Sequence, residues 1–203
     1  MGTFITFEGI DGSGKSTQAR LLADRLKADG HEVVLTREPG GSPGAEEIRR
    51  LLVEGEPGRW SPDTEMLLFT AARRDHVERT ITPALGRDAV VISDRYVDST
   101  RAYQGTGPLR ATVDLLHQQM IGLMPDFTLI FDLDPEQGLA RAGARAGHET
   151  RFEAKGLAFQ AELRAAFHDI AQAEPDRCHI VDAFGTAEGV ANRVWGLVSE
   201  RLS

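Results

Sequence analysis

The stretch Phe4-Ile5-Thr6-Phe7-Glu8-Gly9-Ile10-Asp11-Gly12-Ser13-Gly14-Lys15-Ser16-Thr17 decides the fold. Its first four residues are β-branched or aromatic and predict a strand. Residues 9–16 match GxxxxGK[ST] without a mismatch. Beyond them Ala19, Leu22, Ala23 and Leu26 recur at i, i+3, i+4 and i+7, which predicts a helix over 15–29 with Gly30 as its stop. A glycine-rich turn between a strand and a helix is the context in which this motif cradles a nucleoside triphosphate. The glycines let the backbone wrap phosphate oxygens, the helix N-terminus offers unpaired N–H groups, Lys15 supplies charge, and Ser16 can ligate magnesium. The expected nucleotide contacts are Gly9, Ile10, Asp11, Gly12, Ser13, Gly14, Lys15, Ser16 and Thr17. Asp11 either caps the turn or, beside the phosphates, meets a substrate.

Further strands are predicted at 32–36, 89–93, 127–133 and 178–181, each short and mostly β-branched or aromatic. Helical patterns separate them, and strands joined by helical crossovers run parallel with helices on both faces. The class is α/β. Two stretches read as mobile loops: 38–44, rich in glycine and proline, and 141–151, in which glycine and alanine separate three arginines. No repeat or interdomain linker divides the chain, so residues 1–203 read as one domain.

Lysine and arginine number 23 against 31 aspartates and glutamates, a net charge of −8. That balance argues against a broad cationic surface for nucleic acid, so a phosphate ligand must be gripped locally. Cys178 is the single cysteine, which excludes an intrachain disulfide, suits a reducing compartment, and reads as a buried, inert thiol. The first residues carry no cationic region followed by an apolar stretch and a cleavage site. No apolar run approaches the roughly 20 residues that span a bilayer. The expectation is a cytoplasmic protein with no membrane partner.

A phosphate cradle alone leaves a kinase, a GTP-dependent switch and an ATP-driven machine open. The guanine-reading NKxD segment is absent, and the DxxG matches at Asp11 and Asp182 are misplaced, one inside the cradle and one near the C-terminus. Ser93-Asp94-Arg95-Tyr96 directly follows the strand around Val90-Val91-Ile92, so Asp94 and Arg95 should emerge at a carboxyl edge of the sheet, where such sheets bind ligands. Asp94 suits the magnesium shell and Arg95 a phosphate clamp.

Five segments in register resemble the bacterial thymidylate kinases: FEGIDGSGKSTQ at 7–18, TREPGG at 36–41, LLFTAARRDH at 67–76, DRYVDSTRAYQG at 94–105 and RFE at 151–153. The resemblance covers nearly the whole chain. It implies the P-loop NTPase fold in its nucleoside monophosphate kinase form, a five-stranded parallel sheet flanked by helices, with a short arginine-bearing lid near residues 141–152. It also implies phosphorylation of dTMP to dTDP by Mg-ATP and a homodimer. Residue by residue, Phe69 would stack on thymine and Arg73 would donate to a base carbonyl. Tyr103 would lie against the sugar where a 2′-hydroxyl would project, and Ser99, Thr100 and Gln104 would reach the base or phosphate or order their loop. Glu38 and Pro39 would lie near the monophosphate, and Asp11 would meet the acceptor's 3′-hydroxyl. One branch of that family carries an arginine in the cradle beside the aspartate; Gly12 stands there in this chain, as in the branch whose lid supplies arginine. Arg141, Arg145 and Arg151 fit that role, with Lys15 and Arg95 completing the catalytic cations. A kinase for another small acceptor, a GTP switch and an idle binding module are the rival readings.

Overall fold

The computed structural model describes residues 2–56, 58–105, 107, 109–143 and 156–202. Five strands form one sheet: β1 (Phe4–Gly9), β2 (Val33–Arg37), β3 (Val90–Asp94), β4 (Phe127–Asp132) and β5 (Cys178–Asp182). Their order is β2-β3-β1-β4-β5, and every pairing is parallel. The expected strands all form, with ends within a residue or two of those read from sequence.

β1 shows why the sheet has two covered faces. Phe4 packs with Val77, Ile81 and Tyr96 in one apolar cluster, whereas Ile5 and Phe7 join Leu22, Leu26, Phe131 and Phe167 in the other. A strand buried on both sides reads as continuously apolar. Each fully buried side chain of this size contributes about 1.5–3 kcal/mol. The first helix, α1 (Lys15–Ala28), buries Ala19, Leu22, Ala23 and Leu26, as the periodicity requires. Gly30 then adopts a left-handed φ of 93°, where a side chain would be strained.

The remaining helices are α2 (Pro43–Val53), α3 (Pro62–His76), α4 (Thr82–Leu85), α5 (Val97–Tyr103), α6 (Leu109–Met120), α7 (Pro135–Gly143), α8 (Gly156–Ala173) and α9 (Ala187–Leu202). A π turn, Val77–Ile81, joins α3 to α4.

Both loop expectations need correction at one end. The 38–44 stretch is already helical from Pro43, because Asp75 of α3 caps α2: its Oδ2 accepts from the Ala45 amide at 3.2 Å and from Ser42 Oγ at 2.6 Å. At the other loop, Arg141 lies in the last turn of α7 rather than in irregular chain. Asp134 starts that helix by accepting from the amides of Glu136 and Gln137 at 3.0 and 3.2 Å. Arg145 and Arg151 lie outside the described residues.

Candidate active site

Parallel pairing sets Phe7 opposite Asp94 and Gly9 opposite Phe131, so the turn after β1 and the end of β3 open on the same edge. Gly9 has φ 130°, and a Cβ there would lie 2.6 Å from the Phe131 carbonyl oxygen. Gly12 has φ 78°, and its Cβ would lie 2.0 Å from the carbonyl oxygen of Gly138 in α7. This backbone therefore has no room for an arginine at position 12. The cradle sits directly on the helix that carries Arg141.

The N-terminus of α1 has no side-chain cap, which leaves its first amides available for an anion. Lys15 is buried, and its Nζ donates to the Ile10 carbonyl at 2.7 Å and to Ser13 Oγ at 3.3 Å. Burial, then the Arg95 charge, brings its pKa down to about 8 against the attraction of Asp11 and Asp94. An arriving phosphate would supply the missing counter-charge. At the mouth of the cradle Ser16 Oγ donates to Asp94 Oδ2. A hydroxyl and a carboxylate side by side fit magnesium, a hard cation that takes few protein ligands and shares phosphate oxygens.

Arg95 is the structural centre of the site. Its φ of 72° lies in the left-handed region, uncommon for a side-chain-bearing residue. Three contacts hold the turn: the Arg95 amide donates to the Phe7 carbonyl at 2.9 Å, Ser93 Oγ to the Arg95 carbonyl at 2.7 Å, and the Tyr96 amide to Glu8 Oε1 at 2.7 Å. The guanidinium consequently turns back over the cradle. Nη2 meets Asp11 Oδ1 at 2.5 Å and Tyr103 Oη at 3.3 Å, and Nη1 meets Ser99 Oγ at 3.0 Å and the Gly9 carbonyl at 3.3 Å. Burial works against the Arg95 charge, yet Tyr103, Asp11 and Asp94 outweigh it and hold its pKa above the ordinary arginine value. For Asp11 burial is likewise outweighed, by Arg95 and then Lys15, so its carboxyl stays ionised.

Glu8 was not read from the sequence as a site residue. It is fully buried, and its Oε2 accepts from Ser99 Oγ at 2.6 Å. Burial, then Asp98, raises its pKa to about 8. A carboxylate in an otherwise apolar strand was the available signal, since buried acids are rare unless partnered.

The second half of the site lies along α3 and α5. Phe69 is half-buried and stands one helical turn before Arg73. Arg73 is only 2% exposed; its Nε donates to Glu38 Oε2 at 2.8 Å and its Nη2 to Thr100 Oγ1 at 2.9 Å. No hydrogen-bond partner of Nη1 is found among the described residues. Gln104 is buried, with Nε2 3.3 Å from Glu65 Oε2 and Oε1 lacking any partner among the described residues. An orphaned buried amide oxygen is costly unless something donates to it. Tyr103 packs edge-on to Phe159 of α8 with centroids 5.9 Å apart. Pro39 follows Glu38 at the end of β2, beside this pocket. Of the residues read from sequence, the cradle, Asp94, Arg95, Ser99 and Tyr103 converge around one guanidinium, and Glu38, Arg73 and Thr100 around a second.

A phosphate-cradle turn tied through one arginine to the α5 segment, on the carboxyl edge of a five-stranded parallel sheet, is the framework of a P-loop nucleotide kinase. Comparison with known proteins gives the particular kind. The thymidylate kinase family model matches residues 7–194. A thymidylate kinase of Ruegeria pomeroyi is 60% identical over 204 residues, covering 100% of this chain and 97% of that protein. One from Dinoroseobacter shibae is 63% identical over 183 residues, covering 89% of this chain and 88% of that protein. A crystal structure of thymidylate kinase from Ehrlichia chaffeensis superposes with a TM-score of 0.79 at 37% identity, covering 98% of each chain. The chain belongs to the thymidylate kinase family.

Proposed function

We propose that Mg-ATP is the donor in the phosphorylation of dTMP to dTDP that family membership assigns to this chain, and that the reaction runs within one kinase domain spanning residues 1–203. The observation that carries this reading is Arg95, whose guanidinium touches Asp11 of the cradle and Ser99 and Tyr103 of the acceptor segment at once.

In this reading a dTMP phosphate oxygen attacks the γ-phosphorus in line, the bond from that phosphorus to the β-phosphate bridge oxygen breaks, and ADP leaves. Transferred charge spreads over the equatorial oxygens, so positioning and cations do most of the work. Lys15 and Arg95 provide two of those cations, and Arg141, Arg145 and Arg151 provide the lid's. Ser16 and Asp94 would hold magnesium, which would supply positive charge to offset that of the phosphates. Cradle residues 9–17 bind the triphosphate. Phe69 stacks on thymine, Arg73 Nη1 and the Gln104 amide meet its polar edge, and Glu38 and Thr100 hold Arg73. Pro39 lies under the monophosphate, Tyr103 excludes a 2′-hydroxyl, and ionised Asp11 accepts from the 3′-hydroxyl.

Leu51, Leu67, Leu115 and Met120 stand exposed on α2, α3 and α6, and α3 packs against both of the other two. We infer a homodimer from the family, with these exposed apolar residues as candidates for its interface, checked by sedimentation. Among the described residues no helix is long and apolar enough to cross a membrane, and a cytoplasmic enzyme is the reading that follows the family.

The test is ADP formation by purified protein against a panel of nucleoside monophosphates. Turnover should require dTMP, with dUMP used weakly, because one methyl group is worth about 1–3 kcal/mol. Turnover without an acceptor, or with GTP preferred to ATP, would favour a switch instead.

A further inference from the structure

His76 is wholly buried at the end of α3, with both ring nitrogens engaged. Its Nδ1 lies 3.0 Å from Glu38 Oε1, and its Nε2 lies 2.7 Å from Thr36 Oγ1. The other oxygen of the same carboxylate, Glu38 Oε2, takes Arg73 Nε at 2.8 Å. Side-chain exposures along this chain of contacts are 0% for His76, 4% for Glu38 and 2% for Arg73. A carboxylate oxygen accepts, so Nδ1 donates to Glu38 Oε1, and Nε2 shares the second hydrogen bond with the Thr36 hydroxyl, which can serve as either donor or acceptor. The loop after Glu38 is built around the imidazole: Gly41 has φ 87°, and a Cβ there would lie 2.3 Å from His76 Nε2.

We propose that His76 is the positioning residue for acceptor recognition: by holding Glu38 Oε1 it fixes the carboxylate that aims the Arg73 guanidinium at the base. Glutamate has three side-chain torsions, and a carboxylate held at one oxygen alone can swing. Fixed at both, it clamps Arg73 Nε while Thr100 clamps Nη2, so among the described residues Nη1 is the guanidinium nitrogen left to meet a ligand. Angular precision of this kind depends on the shell behind the reading residue. His76 also ties β2 to α3 through Thr36, joining the two sides of the pocket. Among the described residues no hydrogen bond joins His76, Thr36, Glu38 or Arg73 directly to the phosphate cradle, so the effect should fall first on the acceptor. The inference rests on Arg73 reading the acceptor base.

Steady-state kinetics with His76→Asn and His76→Gln, varying dTMP and ATP separately, test it. An asparagine amide nitrogen falls where Nδ1 sits and keeps the bond to Glu38, whereas glutamine reaches the Nε2 position and keeps only Thr36. His76→Asn should hold KM for dTMP within about threefold of the parent, and His76→Gln should raise it about 10- to 100-fold. KM for ATP should stay unchanged in both. Equal rises in the two variants, or a rise for ATP matching that for dTMP, overturns the proposal. If an imidazole replacement fails to fold by circular dichroism, Thr36→Val gives the second reading: it leaves the Nδ1 bond to Glu38 in place, so KM for dTMP should stay within about threefold of the parent, and a rise of about tenfold or more overturns the proposal. Arg73→Ala run in parallel separates the two levels. Unaltered dTMP use in that variant sinks the base-pocket reading itself, whereas its loss beside indistinguishable His76 variants sinks only the relay.

Discussion

Lys15→Met should make the unliganded protein more stable at neutral pH while abolishing its chemistry. The cradle holds a lysine that is 6% exposed and faces the Arg95 guanidinium. Its pKa falls from 10.5 to about 8, which at about 1.4 kcal/mol per pKa unit costs the folded state about 3 kcal/mol wherever the ammonium is charged. The sign follows from proton counting. Below about pH 8 both states bind the proton and the cost is complete. Between about pH 8 and 10.5 the unfolded chain binds more protons than the folded one, so stability rises with pH. Methionine removes the charge but also the bonds to the Ile10 carbonyl and Ser13 Oγ, worth about 1 kcal/mol together. Urea denaturation should therefore find the variant about 2 kcal/mol more stable at pH 7, with the difference shrinking through pH 9 and changing sign just below about pH 10. ATP should stabilise the parent and not the variant. A difference that does not depend on pH, or a variant already less stable at pH 7, would refute the view that burial and the Arg95 charge strain Lys15 in the cradle.

Three further outcomes follow from the same geometry. Gly14→Ala, where nothing lies within 4 Å but φ is 94°, should cost about 1–2 kcal/mol from backbone strain; Gly12→Ala should cost clearly more, since the Gly138 backbone must move, and equal losses in thermal melts would remove that contact from the account. Asp132, whose pKa is brought down to about 2 by hydrogen bonding to Arg164 and His168, contributes stability above about pH 4 that is lost as pH falls through 2. Asp132→Asn should thus cost about 1–2 kcal/mol at pH 6 and progressively less in acid, measured by urea midpoints. Cys178 is buried, with burial pushing its thiol up to about 12, so a thiol reagent should react with it only after unfolding; rapid reaction of the native protein would contradict its placement in the core.

Much of this was legible before any coordinates. The strand, turn and helix over 4–28 announce themselves because period, glycine spacing and charge agree locally. Asp94 and Arg95 were placed at the sheet edge simply because they end an apolar strand. Long-range partners were not legible. The capping of α2 by Asp75, the tie from His76 to Glu38 and the support of the Arg95 turn by Glu8 each join residues more than 25 positions apart, and spacing carries no information about them. Arg141 was misread as loop because the alanine and glycine around it mask a helix whose start is fixed by Asp134.

The central claim is that donor and acceptor lie end to end across Arg95. It is tested most directly by a dinucleotide whose adenosine and thymidine 5′ ends are joined through a polyphosphate chain. Such a compound should inhibit competitively against both ATP and dTMP and bind more tightly than either. Competition with only one of them would mean that the two sites do not face each other, and the account would fail.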